Sequence, residues 1–267
     1  MAHHRDIFRR IYETGVIASA GIGNVLYPYP PGYVTSDHFW LVYEKEIRTL
    51  LRQLLNPGAI FIDIGAHRGF HSAFALGLVG PKGMVVACEP LEENIEGLRW
   101  LRQLNSSTSL LIEPSAISAS TGKATLYISD DDGWNTLVGE YREHYSAPFS
   151  RVPRSRTVST LSLDDLFVKY SHIGLGDASR RIVIKVDTEA SEFDILFTSR
   201  LALAQVGVRA MIIVCSGGSS PFNERAISCV QILREYGFRT DVITPVEVRP
   251  WTPEDARRQV NILAIRN

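Results

Sequence analysis

Two glycines and two carboxylates in the first third of the chain have types and spacing that could bind a nucleotide cofactor. Gly65 and Gly69 bracket a turn after the apolar run in FIDIGAHRGF (61–70), and glycines let a ligand approach the backbone N–H groups at a helix N-terminus. Glu89 ends the next apolar run, where an acidic side chain can accept both hydroxyl protons of an adenosine ribose. Asp63 could orient the turn or bind a cofactor ammonium group. Together they indicate a cofactor that contains adenosine.

The side chains inside this turn narrow the type of cofactor. A dinucleotide turn would continue Gly-x-Gly-x-x-Gly from Gly65, but His67 and Phe70 occupy the other glycine positions and would obstruct a pyrophosphate. No Lys-Ser or Lys-Thr pair follows, which excludes a P-loop. The turn therefore favours S-adenosylmethionine, with its amino-acid part against Gly65, Ala66 and His67. The alternative is that the glycines only permit close strand–helix packing and Glu89 is a solvated strand end.

A second group of carboxylates lies in the block KVDTEASE (185–192). Asp187 closes a strand expected beside the first one, so its carboxylate should face the same cleft and could also contact the cofactor. Glu189 and Glu192 lie three apart at a helix start, where capping and the helix dipole alone could explain them. We predict that Asp187 and Glu189 deprotonate an acceptor hydroxyl, or that they bind a divalent cation that acidifies it.

His67 and His71 are further candidates for the base. They are spaced i, i+4, as zinc ligands on a helix can be, but Arg68 stands where an HExxH motif has its glutamate. No third ligand is apparent from the sequence. We therefore predict no metal site at this pair and interpret His67 as a turn residue near the cofactor.

The adenine ring should lie near the end of the third predicted strand, around residues 113–117. Ala116 and Ile117 could supply an apolar wall there, and Ser115 or Ser118 could supply a hydrogen bond. Like Glu89, these residues follow the carboxyl end of a strand, where ligands bind in open α/β sheets.

An alternating α/β pattern has to position all of these residues. Apolar runs predict strands at 59–65, 84–89, 109–114, 181–187, 209–215, 238–244 and 260–267, and helical periodicity predicts helices at 4–14, 37–55, 69–79, 91–104, 189–197 and 223–237. Such alternation is typical of a doubly wound, mostly parallel sheet with helices on both faces. Residues 238–244 and 260–266 should close it as an antiparallel pair.

The connecting segments are less regular. Residues 24–37 are rich in proline and tyrosine and predict an irregular arm, the segment around Thr121 and Gly122 predicts an antiparallel pair, and 130–156 predicts a polar insertion. Ser162 or Asp164 could cap a short helix. In the insertion Trp134, together with Tyr27 and Tyr29 of the arm, could stack on a sugar or another ring.

The length and composition of the chain indicate how large its domain is and which classes of partner are disfavoured. The chain has 267 residues, a formal net charge of −1 and three cysteines. It is long enough for one large α/β domain, which we place at 57–267 with an N-terminal arm and helices (1–56) packed on it. The charge balance argues against a nucleic-acid or membrane-surface partner. Few cysteines and no signal-peptide core favour a cytoplasmic protein, and nothing predicts its oligomeric state.

The chain resembles the FkbM-type family of S-adenosylmethionine-dependent methyltransferases. The resemblance begins at Tyr43-Glu44 and covers FIDIGAHRGF, the ACEP segment with Asn94 behind it, ISASTGKATLY, TLSLDDL, IKVDTEASEFDIL, IIVC, LREYGF and NILAI. It implies the seven-stranded class I methyltransferase (Rossmann-like) fold, and it adds Glu44 and Pro90 to the expected cofactor-binding residues. This chain departs from the family at three positions: His67 replaces Asn, Ala190 replaces Gly, and Cys215 stands where a strand commonly ends in Glu.

The sequence thus predicts an S-adenosylmethionine-dependent methyltransferase that forms S-adenosylhomocysteine. The resemblance implies O-methylation of a hydroxyl on a small molecule or glycan. Two alternatives remain at this point. The chain could methylate RNA or protein, or it could bind the cofactor without transferring its methyl group, an alternative that Cys215 and Ala190 keep open.

Overall fold

The computed structural model of the chain describes residues 16–19, 25–29, 43–106, 109–130, 132–144 and 154–266. Side chains are not described for 16–19, 29 and 132. The helix predicted at 4–14 lies outside these ranges, and so does the first part of the helix predicted at 37–55. The stacking role predicted for Tyr29 depends on its side chain, which the structure does not describe.

One sheet holds the core of the described chain together. Its strands, in chain order, are β3 (Ile60–Ile64), β4 (Met84–Cys88), β5 (Leu110–Glu113), β9 (Ile182–Val186), β10 (Val208–Cys215), β11 (Arg239–Ile243), β12 (Val248–Pro250) and β13 (Val260–Ile265). They lie in the order β12-β11-β13-β10-β9-β3-β4-β5. The pairs from β10 to β5 are parallel, and β13 pairs antiparallel with both β10 and β11. The predicted closing pair is therefore confirmed.

The sheet has eight strands in the described ranges, so the expectation of seven is not confirmed. The additional strand is β12, three residues long, which pairs antiparallel with β11 at the edge. Between them the N–H of Thr244 donates to the carbonyl of Glu247 at 2.9 Å and closes a turn. A three-residue edge strand that is mostly exposed has no apolar period, so sequence periodicity gives no sign of it.

Helices cover both faces of this sheet, as the alternation predicts. The helices are α1 (Lys45–Leu54), α2 (Phe70–Val79), α3 (Glu92–Leu104), α4 (Gly139–His144), α5 (Leu163–Lys169), α6 (Glu192–Thr198), α7 (Arg200–Ala204) and α8 (Phe222–Glu235). The cluster of buried side chains on one face includes α1, α2 and α3, and that on the other includes α5, α6, α7 and α8. Strand residues alternate between the two clusters, and burial of both faces explains why these strands are continuously apolar.

A smaller sheet corrects the predicted antiparallel pair around Thr121 and Gly122. Its strands are β6 (Ala116–Ser118), β7 (Gly122–Ile128) and β8 (Arg154–Ser162), in the order β6-β8-β7. β8 lies between the other two, parallel to β6 and antiparallel to β7. The prediction was wrong because β8 is mostly polar and exposed, and its first residues were assigned to the insertion 130–156.

Local features at the ends of elements agree in part with the sequence. Ser162 caps α5, since its Oγ accepts from the N–H of Asp165 at 3.1 Å. The arm is more regular than predicted, because β1 (Val16–Ser19) and β2 (Leu26–Tyr29) pair antiparallel. The side chain of Asn105 holds β2 through both backbone groups of Leu26, at 2.7 Å each.

In the described ranges, no helix is both long and apolar enough to cross a membrane.

Candidate active site

A cavity of about 770 Å³ opens beyond the carboxyl ends of β3, β4 and β9. Its lining combines the turns after these strands with the start of the small sheet and part of the insertion. Of the residues predicted as a site, it is lined by Glu44, Asp63, Gly65, Ala66, His67, Glu89, Pro90, Ala116, Ile117, Asp187 and Glu189. The position is where parallel α/β sheets bind ligands.

The turn after β3 brings the ends of three strands together. The N–H groups of Gly65 and Ala66 donate to the Cys88 carbonyl at 3.1 and 3.0 Å, and the N–H of Asp187 donates to the Ile64 carbonyl at 3.0 Å. Gly65 has φ +76°, and a Cβ on it would lie 1.8 Å from the Asp187 carbonyl oxygen. Only glycine fits at this close approach of two strand ends.

The Glu89 carboxylate is held against this turn. Its Oε2 accepts from the N–H of His67 at 3.0 Å, and its Oε1 accepts from the N–H of Leu91 at 2.9 Å and from Nδ2 of Asn94 at 3.3 Å. Burial raises the pKa of Glu89, while His67 and the hydrogen bonds oppose that shift. His67 itself has φ +51°, a conformation in which histidine and asparagine are enriched.

Two predicted cofactor-binding residues do not line the cavity. Gly69 is the N-cap of α2 with φ +85°, and a Cβ on it would lie 2.6 Å from Cδ2 of Leu98. Gly69 therefore permits α2 to pack against α3. Ser115 is buried just before β6 and is absent from the lining. Each of the two lies next in the sequence to a residue that lines the cavity. The course of the backbone decides which of two neighbouring residues faces the cavity.

A buried lysine lies at the centre of the acidic groups. Nζ of Lys185 is 2.7 Å from Oδ2 of Asp187, and the lysine side chain is 3% exposed. Lys185 also faces Asp63, its register partner on β3. Burial lowers the pKa of Lys185, but the Asp187, Asp63 and Glu44 carboxylates outweigh this and raise it. The lysine is thus a fixed cation.

Two further carboxylates of the cavity, those of Asp63 and Glu44, contact neighbouring polar side chains. Oδ2 of Asp63 accepts from Oγ of Ser72 at 2.6 Å, while its Oδ1 has no hydrogen-bond partner in the described chain. Oε2 of Glu44 lies 2.6 Å from Nε2 of His71. Glu44 is 27 residues away from His71 in the chain, so α1 contributes directly to the cavity.

Glu189 occupies a strained turn on the opposite wall. Glu189 and Ala190 have φ of +51° and +84°, so the alanine that replaces the family's glycine adopts a left-handed conformation. The hydroxyl of Tyr141 donates to Oε2 of Glu189, and Oγ1 of Thr136 donates to its carbonyl at 2.5 Å. Burial and the neighbouring Asp187 charge raise the pKa of Glu189 to about 8.

Glu192 and Cys215 lie outside the cavity lining. Oε1 of Glu192 accepts from the N–H and Oγ1 of Thr188, at 2.9 and 2.8 Å. Burial raises the pKa of Glu192 to about 7. The structural interpretation of Glu192, as a side chain that satisfies the turn before a helix, therefore fits its contacts. Cys215 is buried close to Cys229 and Glu192 on the other face of the sheet.

The insertion is a wall of the cavity rather than a solvated loop. Trp134, Asn135 and Leu137 line the cavity, and the ring of Trp134 stacks on Tyr141 with centroids 6.3 Å apart. Tyr27 is not part of this wall, because its ring packs edge-on against Phe70 instead. The predicted stacking of Tyr27 on a ligand ring is therefore wrong, since Tyr27 is buried, and that of Trp134 stays a prediction.

Two arginines of this region form ion pairs at the surface. Arg154 pairs with Asp130 at 2.6 Å, and Arg156 pairs with Glu93 at 2.5 Å. All four side chains are about half exposed. Within the described ranges, no three His, Cys, Asp or Glu side chains converge in a way that could hold a metal ion.

Sequence reasoning did not single out several lining residues. Lys185 could have been found, since a lysine inside the apolar run IVIKV must be paired when it is buried. Asn94 was noticed only for the family resemblance, yet its Oδ1 is buried without a hydrogen-bond partner in the described chain. Gln259 of the lining, and Tyr141, which donates to the lining residue Glu189, carry no local signal, because their places depend on distant segments.

Comparison with models of protein families gives a match over most of the chain. The model of the methyltransferase FkbM domain family matches residues 63–240. The solved structure of methyltransferase FkbM from Methylobacillus flagellatus KT is similar over 85% of this chain and 52% of its own, at 15% identity and a TM-score of 0.45. This chain therefore spans about half the length of that protein.

Two further solved structures are similar at low identity. One is an S-adenosylmethionine-dependent O-methyltransferase from Thermotoga maritima, with 15% identity, 95% of this chain and 78% of that chain covered, and a TM-score of 0.44. The other is a putative rRNA-methylase from Clostridium thermocellum, with 10% identity, 83% and 93% covered, and a TM-score of 0.44.

Proposed function

We propose that this chain, which belongs to the FkbM methyltransferase-domain family, transfers a methyl group from S-adenosylmethionine to a hydroxyl group of a small molecule or glycan. One observation carries the proposal. The glycine turn after β3 and the Glu89 carboxylate meet at a single cavity, joined by the hydrogen bond from His67. The family model begins at Asp63, the last polar residue before that turn.

The polar atoms of the cavity suit this cofactor. Oδ1 of Asp63 and Oδ1 of Asn94 are buried acceptors without a hydrogen-bond partner in the described chain, and both residues line the cavity. S-adenosylmethionine offers the matching donors in its ammonium group, ribose hydroxyls and adenine amino group. Buried acceptors of this kind cost free energy unless a donor satisfies them.

Each part of the cofactor has a set of residues that would hold it. Glu89 would accept from the ribose hydroxyls. Asp63 and Glu44 would bind the ammonium group, and the turn 65–67 would face the amino-acid part. Pro90, Ala116 and Ile117 would form the apolar wall for adenine.

The charge of the cavity favours a cationic cofactor and an acceptor without phosphate groups. Its lining includes the carboxylates of Glu44, Asp63, Glu89, Asp187 and Glu189. The cationic side chains of the lining are Arg68 and Lys185. S-adenosylmethionine carries a positive sulfonium, whereas an RNA acceptor would bring phosphates toward an acidic wall. We therefore prefer a hydroxylated small molecule or glycan to RNA.

The two candidate bases differ in their surroundings. When bound, S-adenosylmethionine supplies an electrophilic methyl group on a sulfonium. An acceptor hydroxyl would have to give its proton to a nearby side chain as its oxygen takes that methyl group, and the electron pair of the carbon–sulfur bond would remain on sulfur. Asp187 is ion-paired with Lys185, so its role is to orient the site. Glu189, with a pKa raised to about 8, is better matched to accept the proton near neutral pH.

Two measurements test the proposal in order. Calorimetry with S-adenosylmethionine should show binding by the wild type and at least about tenfold weaker binding by Glu89→Ala, with the exposed Glu92→Ala as the matched control. Equal affinity of the three proteins would contradict the cofactor site.

The second measurement is methyl transfer from radiolabelled S-adenosylmethionine to methyl glycosides of neutral hexoses, to the same hexoses as phosphates, and to total RNA. We expect transfer to the neutral glycosides. Binding of the cofactor without transfer to any of these acceptors would favour the non-catalytic alternative, and transfer only to RNA would favour the nucleic-acid one.

A further inference from the structure

The segment Asp132–His144 is fastened to the turn that carries Glu189. Oγ1 of Thr136 donates to the Glu189 carbonyl at 2.5 Å, and the N–H of Val138 donates back to Oγ1 of Thr136 at 3.0 Å. One turn of helix later, the hydroxyl of Tyr141 donates to the Glu189 carboxylate. The same segment thus contacts both the backbone and the side chain of Glu189.

Apolar packing fixes the Tyr141 ring independently of that hydrogen bond. The ring is 2% exposed and lies in a cluster with Ala190 and Phe222. Phe222 meets it edge-on, with ring centroids 5.6 Å apart, and Trp134 stacks on its other side. A phenol held by three neighbours directs its hydroxyl with little freedom, which is what positioning a reactive carboxylate requires.

One oxygen of the Glu189 carboxylate accepts a hydrogen bond from the protein, and within the described ranges the other oxygen does not. Oε2 accepts the Tyr141 hydrogen bond, while Oε1 has no hydrogen-bond partner in the described part of the chain. The side chain lines the cavity. An acceptor hydroxyl in the cavity could therefore give its proton to Oε1 without displacing Tyr141.

We propose that Tyr141 is a positioning residue, which holds the Glu189 carboxylate in the cavity so that Oε1 takes the proton of the acceptor hydroxyl. The inference rests on the proposed function and deepens it, since it adds the insertion to the catalytic centre. In the step itself, the acceptor O–H bond breaks, a Glu189 O–H bond forms, and the acceptor oxygen uses the released electron pair to bond the methyl carbon. The cofactor sulfur keeps the electrons of the bond that breaks.

Several charged groups act on Glu189 besides Tyr141. Asp187 and Glu192 on its own segment raise its pKa, and Lys185 of β9 lowers it. The Tyr141 hydrogen bond also lowers the pKa, because it stabilises the ionised carboxylate.

Helix α8, which packs on the same cluster through Phe222, presents Arg225, whose Nη2 bonds Glu140 of α4 at 3.0 Å. On α4, Nε2 of His144 lies 3.3 Å from Oγ of Ser219. Neither Arg225 nor His144 is bonded to Glu189, so Tyr141 is the group of α4 that acts on the carboxylate directly.

The test compares Tyr141→Phe with the wild type at several pH values. Removing the hydroxyl should shift the ionisation of Glu189 upward by about one pH unit. We would follow it by carbon NMR of protein labelled at the Glu side-chain carboxyl, with Glu189→Gln to assign the signal. Tyr127→Phe is the matched control, because its ring packs against Arg142 of α4 without a bond to Glu189. The control should leave the midpoint unchanged.

The rate of methyl transfer should follow the same ionisation. In the wild type it should rise with pH through the midpoint, and in Tyr141→Phe the rise should move upward by the same amount. If Tyr141→Phe does not fold, 3-fluorotyrosine at position 141 is a stronger donor and should lower the midpoint instead.

Each outcome decides the inference. The inference fails if the Glu189 carboxyl ionises at the pH at which exposed carboxyl groups ionise. It also fails if Tyr141→Phe leaves either the midpoint of that ionisation or the pH dependence of the methyl-transfer rate unchanged. Methyl transfer with an unmoved profile would overturn the inference and leave the proposed function intact. Absence of cofactor binding would overturn the proposed function first.

Discussion

The backbone N–H of His67 donates a 3.0 Å hydrogen bond to Oε2 of Glu89. This bond joins the turn after β3 to the end of β4, 22 residues further on, and both line one cavity. The side chain for which we propose ribose binding therefore also holds the turn that, in the same proposal, faces the cofactor's amino-acid part. Loss of the carboxylate should disturb both.

Replacing Glu89 with Gln removes its charge while keeping its shape. An amide has one oxygen, so the glutamine can accept either from His67 or from Leu91 and Asn94, and its NH2 group then faces the other N–H donor. We expect S-adenosylmethionine to bind about tenfold or more weakly, measured by calorimetry. The thermal midpoint without cofactor should fall as well, because one buried N–H donor loses its acceptor. A large loss of stability with unchanged affinity would instead make Glu89 a purely structural residue.

A methyl group on Gly65 should be far more damaging than one on Gly58. Both glycines have positive φ, +76° and +90°, but a Cβ at position 58 meets nothing within 4 Å while one at 65 would lie 1.8 Å from the Asp187 carbonyl oxygen. Gly58→Ala should cost about 1 kcal/mol for the left-handed conformation alone. Gly65→Ala should cost about 3 kcal/mol or more, measured by urea unfolding. Equal costs would contradict the close approach of the strand ends.

Removing the buried cation should destabilise the chain strongly. Lys185→Met leaves the Asp187 and Asp63 carboxylates without their partner, and breaking a buried ion pair from one side typically costs about 3–5 kcal/mol. The double variant Lys185→Met/Asp187→Asn should recover part of that loss, because it removes one of the orphaned charges. Chemical unfolding of both variants measures this. If the double variant is less stable than the single one, the ion pair between Lys185 and Asp187 does not explain the loss of stability.

Stability should decrease as pH rises from about 5 to 8. Glu192 has a folded-state pKa raised to about 7 by burial, above its unfolded value of about 4.3. The folded chain therefore binds more protons than the unfolded one in this window, and the slope of the unfolding free energy against pH is negative. The loss should be on the order of 2–4 kcal/mol. Glu192→Gln should make the slope less steep, and Glu189, whose pKa is raised to about 8, should account for the remaining slope. The exposed Glu224→Gln should leave the slope unchanged.

Chelation of metal ions should leave methyl transfer unchanged. The carboxylates that could bind a divalent cation already face the ammonium group of Lys185, which supplies the positive charge there. We expect the same rate with and without EDTA, followed by transfer of radiolabelled methyl groups. A rate that falls with EDTA and returns with Mg²⁺ would show that a metal activates the acceptor.

The sequence by itself determined the architecture and the residues that the strand ends contribute to the cavity. Parallel strands bring their carboxyl ends to one edge, so Asp63, Gly65, Glu89 and Asp187, each at or just after the end of an apolar run, had to lie close together. Their local patterns were sufficient because each position depends on only a few neighbouring residues. For the same reason the alternation of strands and helices predicted which elements form both faces of the sheet.

Tertiary structure alone decided the rest. Strand β8 lies between β6 and β7 because pairing joins residues from 26 (Ile128 and Arg154) to 44 (Ala116 and Thr160) positions apart, and no local period encodes that choice. Tyr141 reaches Glu189 across 48 residues, and Gly69 packs on Leu98 instead of facing the cavity. Contacts between distant segments depend on how whole elements pack, and that packing placed Trp134, Asn135 and Leu137 of the polar insertion in the wall of the cavity.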